Sequence, residues 1–137
     1  MNQFVLPVAL AVVIGVMLML LLQFCWGYIS THSPVPHWLG AIGMRGEVFS
    51  ATLFCADLLV NIFLCLPAAF VLCCLRPSNL ALYLPLSVIP SFVWQYRLFF
   101  DDTSLFQHWN IFVPGVLLSL IPLPIAALII RGKHNGV

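Results

Sequence analysis

Charge is what this sequence has least of: five Lys or Arg and four Asp or Glu, 7% of 137 residues, where soluble domains carry roughly a quarter. That scarcity excludes water as the main solvent. A soluble domain of this length has too much surface for so few charges to cover and would expose apolar patches that aggregate. The formal net charge of +1 supplies neither a basic field for nucleic acid nor an acidic field for cations, so no nucleic-acid partner is expected. Internal repeats, low-complexity tracts, N-x-S/T acceptor sites and C-x-x-C pairs are also missing. The cysteines number five, an odd count that argues against a disulfide framework. Cys25, Cys55 and Cys65 read as small hydrophobes within or at the edge of apolar runs. The vicinal Cys73-Cys74 beside Arg76 offers an acylation site that ranks below plain packing.

What is present is apolar, 63% of the chain, and it falls into four runs. The first, 4–26, has no formally charged side chain. At about 1.5 Å per residue it exceeds the ~30 Å hydrocarbon core. No Lys or Arg precedes it and no small-x-small pattern follows it, so it is expected to be retained rather than cleaved as a signal. The second run, 48–75, is interrupted by Asp57, Asn61 and Pro67, and its length implies tilt or a kink. The third covers 80–100 and the fourth 109–130. None alternates as the ~10-residue strands of a membrane barrel must. Stretches such as Val16 to Leu22 are apolar on every face, which is how a lipid-embedded helix reads. The expected fold is an all-α membrane protein, a single four-transmembrane-helix bundle over 1–137 with short loops, the longest being 27–47.

Four spans place the N-terminus, the turn at Arg76 and the C-terminal tail on one side. That side carries Arg76, Arg131 and Lys133, against Arg45 and Arg97 on the other, so the positive-inside rule places both ends in the cytoplasm. A bacterial-type inner membrane is the expected location. Trp26, Trp38, Trp94 and Trp109 all fall near the outer ends of the spans, as do Tyr28 and Tyr96. Indoles favour the headgroup level because the ring is apolar while its N–H needs a partner, so the four tryptophans are expected to be interfacial anchors. The 27–47 connection, stiffened by Pro34 and Pro36, should be a loop followed by a segment lying on the membrane surface.

Polar side chains are few enough to weigh one by one. His32, His37 and His108 offer imidazoles at the outer face, with Asp101 and Asp102 nearby, but their spacing is not that of a metal site and none is assigned. No histidine lies inside a span to ligate haem, and no cofactor is expected. No nucleophile–base pair or pair of catalytic carboxylates can be assembled, so an enzyme is not expected. Asp57 stands out. It lies about nine residues into its run, ~13 Å deep, where a carboxylate is costly unless paired or neutral. Asn61 is one turn further on, and Gln95 and Arg97 close the third run, so these four residues are expected to form an intramembrane polar cluster. The favoured role is an interhelical hydrogen bond or ion pair that fixes packing. The alternative is a carboxylate that handles protons or cations.

Small residues at four-residue spacing, Ala11 with Gly15 and Gly115 with Ser119, give two helix faces that allow close approach. Prolines in every run supply bends, with Pro122 and Pro124 deep in the fourth. The expected function is that of a small multi-pass membrane protein acting by helix–helix association, as an accessory, assembly or immunity-type subunit. Its partners would be the lipid bilayer and another membrane protein, or a second copy of itself. The alternative is a small homo-oligomeric transporter or channel that uses Asp57.

Overall fold

The structure, a computed structural model, describes residues 2–75, 79–101 and 107–134. The fold is an all-α bundle of six elements: α1 (Asn2–His32), α2 (Val35–Ala41), α3 (Gly46–Leu75), α4 (Leu80–Asp101), α5 (Trp109–Leu120) and α6 (Pro122–His134). Among the described residues three stretches are long and apolar enough to cross a membrane: Val5–Ala41, Gly46–Leu75 and Phe112–Gly132. The chain has the build of an integral membrane protein. α4 is 22 residues long, ~33 Å, but its Tyr, Ser, Gln and Arg residues keep it out of that apolar class. Arg76 and Asp102 lie outside the described residues.

The first helix is longer than expected. It continues past Trp26 to His32 because nothing between Gly27 and Thr31 forbids it. Thr31 Oγ1 donates back to the Tyr28 carbonyl at 2.9 Å, and Pro34 then disfavours the helical conformation for Ser33. Much of the expected 27–47 loop is therefore helical. Pro34 caps α2, and Pro36 is tolerated in its first turn, where amide hydrogens have no intrahelical acceptor. Leu39 of α2 is buried, while Trp38 is 62% exposed. The stop is a Schellman turn: Met44 N–H donates to the Leu39 carbonyl and Gly43 N–H to that of Gly40, both at 3.1 Å. Gly43 adopts the left-handed φ of +80° that this turn requires.

The fourth apolar run breaks at Ile121, and Pro122 starts α6. Proline has no N–H, so Pro122 and Pro124 cannot donate to the carbonyls of Leu118 and Leu120. The expected bend thus takes the form of a two-part helix.

α1 packs chiefly against α4, and α3 against α6. Ala11 meets Ser87 near the start of both α1 and α4, and Gln23 and Gln95 share a cavity further along, so these helices run parallel. α1 and α3 are antiparallel, with Leu6 and Pro7 near Leu72 and Leu75. The core gathers at the end of the bundle that holds the C-terminal half of α3. Ala11, Leu18, Cys65, Ala69, Leu72, Tyr83, Val88, Leu123, Ala126 and Ala127 form one buried cluster. Four of these are alanines with essentially no exposure, and three of the four, Ala69, Ala126 and Ala127, belong to α3 and α6, which lets those helices approach closely. Cys73 Sγ sits 4.0 Å from the Ala127 carbonyl along the same seam.

Candidate functional site

The other end of the bundle is not packed shut. Between α1, α3, α4 and α5 lies a half-open cavity of 570 Å³. Each helix brings polar groups to it at helical spacing. α3 contributes Asp57 and, one turn on, Asn61. α4 contributes Ser91 and Gln95, α1 contributes Gln23 and Ser30, and α5 contributes Ser119. Residues four apart share a face, so the α3 stripe runs Asp57, Asn61, Cys65, Ala69 and passes from cavity to core. The α4 stripe runs Tyr83, Ser87, Ser91, Gln95, in the opposite sense, from core to cavity. One face of each helix seals one end of the bundle and lines the cavity at the other.

Three of the four residues expected to cluster, Asp57, Asn61 and Gln95, meet on this wall. Arg97 does not join them. Its guanidinium lies 3.7 Å from the centroid of the Trp94 ring, a cation–π contact on the outside of α4. The interhelical hydrogen bond expected at Asp57 falls on its neighbour: Trp26 Nε1 donates to Asn61 Oδ1 at 2.7 Å. Asn61 is only 6% exposed, so this bond satisfies a group that would be costly to bury alone. Asp57 is half-buried, and among the described residues no hydrogen bond or ion pair involves its carboxylate. α3 begins at Gly46 rather than Val48, which places Asp57 eleven residues along it, ~16 Å from its start.

The small-residue faces are occupied within the chain. Ser87, fully buried, donates its hydroxyl to the Ala11 carbonyl at 3.0 Å. A Cβ added at Gly15 would stand 3.0 Å from Ser87 C and Cα and closer still to its carbonyl oxygen. Gly15 therefore allows α1 to lie against the α4 backbone. On α5, a Cβ at Gly115 would come 2.8 Å from the Tyr96 hydroxyl oxygen. Ser119 Oγ shares its one proton between Gln95 Oε1, at 2.6 Å, and the Gly115 carbonyl, at 2.9 Å.

The aromatic residues divide. Trp38, Trp94 and Trp109 are exposed, Trp109 meeting Phe112 edge-on with centroids 6.0 Å apart. Trp26 is part of the cavity wall. Tyr96 is 4% exposed and packs between Phe92, tilted at 4.7 Å, and Phe112, edge-on at 5.4 Å. His32 stacks on Tyr28 with centroids 4.3 Å apart, and its Nδ1 lies 2.7 Å from Thr31 Oγ1. His37 is exposed on α2 and His108 precedes α5. Among the described residues no three His, Cys, Asp or Glu side chains converge as metal ligands would.

Gln23, Ser30, Ser87 and Ser91 are not among the residues expected at a site from the sequence. The signal for two of them was the four-residue recurrence of polar groups along α4, in a helix less apolar than its neighbours.

No family model matches the chain, and no curated protein or solved structure shows significant similarity to it.

Proposed function

We propose that this chain is a small multi-pass membrane protein of transporter type that works through the cavity around Asp57. One observation carries the reading: a carboxylate within a long apolar helix lies on the wall of a 570 Å³ cavity shared by four helices, and not in a packed interface. Ionisable residues inside such helices are costly and characteristically line solute or ion pathways. The broken α5–α6 helix supports the same reading, since interrupted spans recur at membrane solute sites and Leu118, just before the break, lines the cavity. In this arrangement α4 completes the set of four spans, as the third in chain order, with its Ser87 face covered by α1. Both ends of the chain lie in the cytoplasm of a bacterial-type inner membrane, and the cavity opens outward.

The test is flux in proteoliposomes, compared for the unmodified chain, Asp57→Asn and Asp57→Leu. The proposal expects both variants to lose flux, with Asp57→Asn keeping the thermal stability of the unmodified chain in detergent. Full flux in Asp57→Asn removes the carboxylate from the mechanism.

A second reading, an accessory subunit or homo-oligomer acting by helix association, has its own observation. Few residues of the three apolar spans are fully buried within the chain. The exposed faces include Leu59, Phe63, Phe70 and Leu128. Purification in mild detergent separates the two: a different membrane protein in stoichiometric amount favours this reading, and solute-dependent flux favours the first.

A further inference from the structure

We propose that the cavity around Asp57 binds an organic ammonium ion with a compact apolar body. This rests on the reading of the cavity as a solute site and names the class of solute.

Charge gives the sign. Among the described residues the wall holds one carboxylate and no Lys, Arg or His. An anion would add a second negative charge at membrane depth, and a neutral solute would leave Asp57 without a counter-charge. A cation supplies it, and the pair enters the low-dielectric layer with its charges balanced.

Volume excludes a bare metal ion. Such an ion is held by six to eight oxygens at about 2.3–2.6 Å, whereas 570 Å³ is room for more than a dozen waters at ~30 Å³ each. A cavity of that size holds a hydrated ion without selecting it. It lies within the ~300–1,000 Å³ of sites that enclose small organic molecules.

The lining then gives the shape of the solute. Met19, Leu22, Trp26 and Leu118 are apolar wall, interleaved with the amides of Gln23 and Gln95. The Trp26 indole is fixed in orientation by its bond to Asn61, so an aromatic surface stands ready beside the carboxylate. Carboxylate, indole and thioether together match an alkyl- or aryl-substituted ammonium, whose charge is spread over carbon-bound hydrogens and whose body is apolar.

The test is isothermal titration of the full chain in detergent with four probes: benzyltrimethylammonium, benzyl alcohol, benzenesulfonate and sodium chloride. The first three share a ring and differ in charge. The expected result is that the ammonium binds at least about tenfold more tightly than the alcohol or the sulfonate, the scale of one charge-assisted contact, and that sodium at equal concentration does not displace it. Asp57→Asn should abolish the tenfold preference, and Asp57→Glu should retain most of it. Equal affinities for the three ring probes, or a preference that survives in Asp57→Asn, overturns the proposal. If Asp57→Asn does not fold, the ranking in the unmodified chain decides alone. Preference for the ammonium without flux leaves this site standing and removes the transporter reading. Flux of another solute without that preference does the reverse.

Discussion

Replacing Gly15 by alanine adds a single methyl group at the tightest point between α1 and α4. That methyl would lie 3.0 Å from Ser87 C and Cα and nearer to the carbonyl oxygen. These are backbone atoms, so no rotamer change relieves the overlap and the two helices have to separate. Overpacking of this kind costs ~1–3 kcal/mol. Separation also lengthens the 3.0 Å bond from Ser87 Oγ to the Ala11 carbonyl, and an interhelical bond in a membrane is worth ~0.6 kcal/mol on average. The internal control is on the same helix. A Cβ at Gly27 meets nothing within 4 Å, so Gly27→Ala gains only the helix propensity that both variants share. The difference between them isolates the steric and hydrogen-bond costs, about 1.5–3.5 kcal/mol. Ser87→Ala should fall between, losing the bond without the clash. The assay is equilibrium unfolding in mixed micelles, followed by far-UV circular dichroism as the denaturing detergent fraction rises. Gly15→Ala should unfold at a clearly lower fraction than Gly27→Ala. Coincident curves would refute the close α1–α4 contact.

The same logic applies to α5, with a compensation built in. Gly115→Ala should destabilise the chain, and Tyr96→Phe, which removes the hydroxyl 2.8 Å from the added carbon, should recover stability in the double variant with a coupling of ~0.5–3 kcal/mol in a double-mutant cycle. Trp26→Phe leaves the buried Asn61 carbonyl without its donor and should cost ~1–3 kcal/mol, measured by the same unfolding assay; Trp26→Phe combined with Asn61→Leu should cost less than the sum of the two single changes. In a cysteine-free background, Ser33→Cys should label from outside intact cells and Gly132→Cys only after permeabilisation, and outside labelling at Gly132 sinks the proposed orientation.

How much of this was legible in the sequence depends on which neighbour a residue answers to. The apolar runs and the lack of alternation follow from composition and period, and they lead directly to an all-α membrane fold. Within one helix, four-residue spacing also gave the right groups: Asp57 with Asn61, Ala11 with Gly15, Gly115 with Ser119. What the sequence hides is pairing between helices. Trp26 looks like an interfacial anchor because it ends an apolar run, and only the approach of α3 turns its N–H toward Asn61. Tyr96 and Arg97 are adjacent, yet one is buried against Phe112 and Gly115 while the other lies over Trp94 on the outside. Their directions depend on where α5 packs. Ser87 belongs to the four-residue polar recurrence of α4, but that pattern does not give its partner, since a serine in a membrane helix commonly bonds its own backbone. It matters here because Gly15 lets the α1 backbone come within reach.

The gathering of the core at one end of the bundle makes the cavity a cup with a deep floor. From Asn61 to the end of α3 at Leu75 is fourteen residues, ~21 Å of helix, and along that length Ala69, Leu72, Leu123, Ala126 and Ala127 pack together. Under the proposed function, a solute beside Asp57 would equilibrate with one compartment and be insulated from the other. Its occupancy would then follow the composition of the solution at the open rim alone, and the chain in this conformation would act as a one-sided sampler.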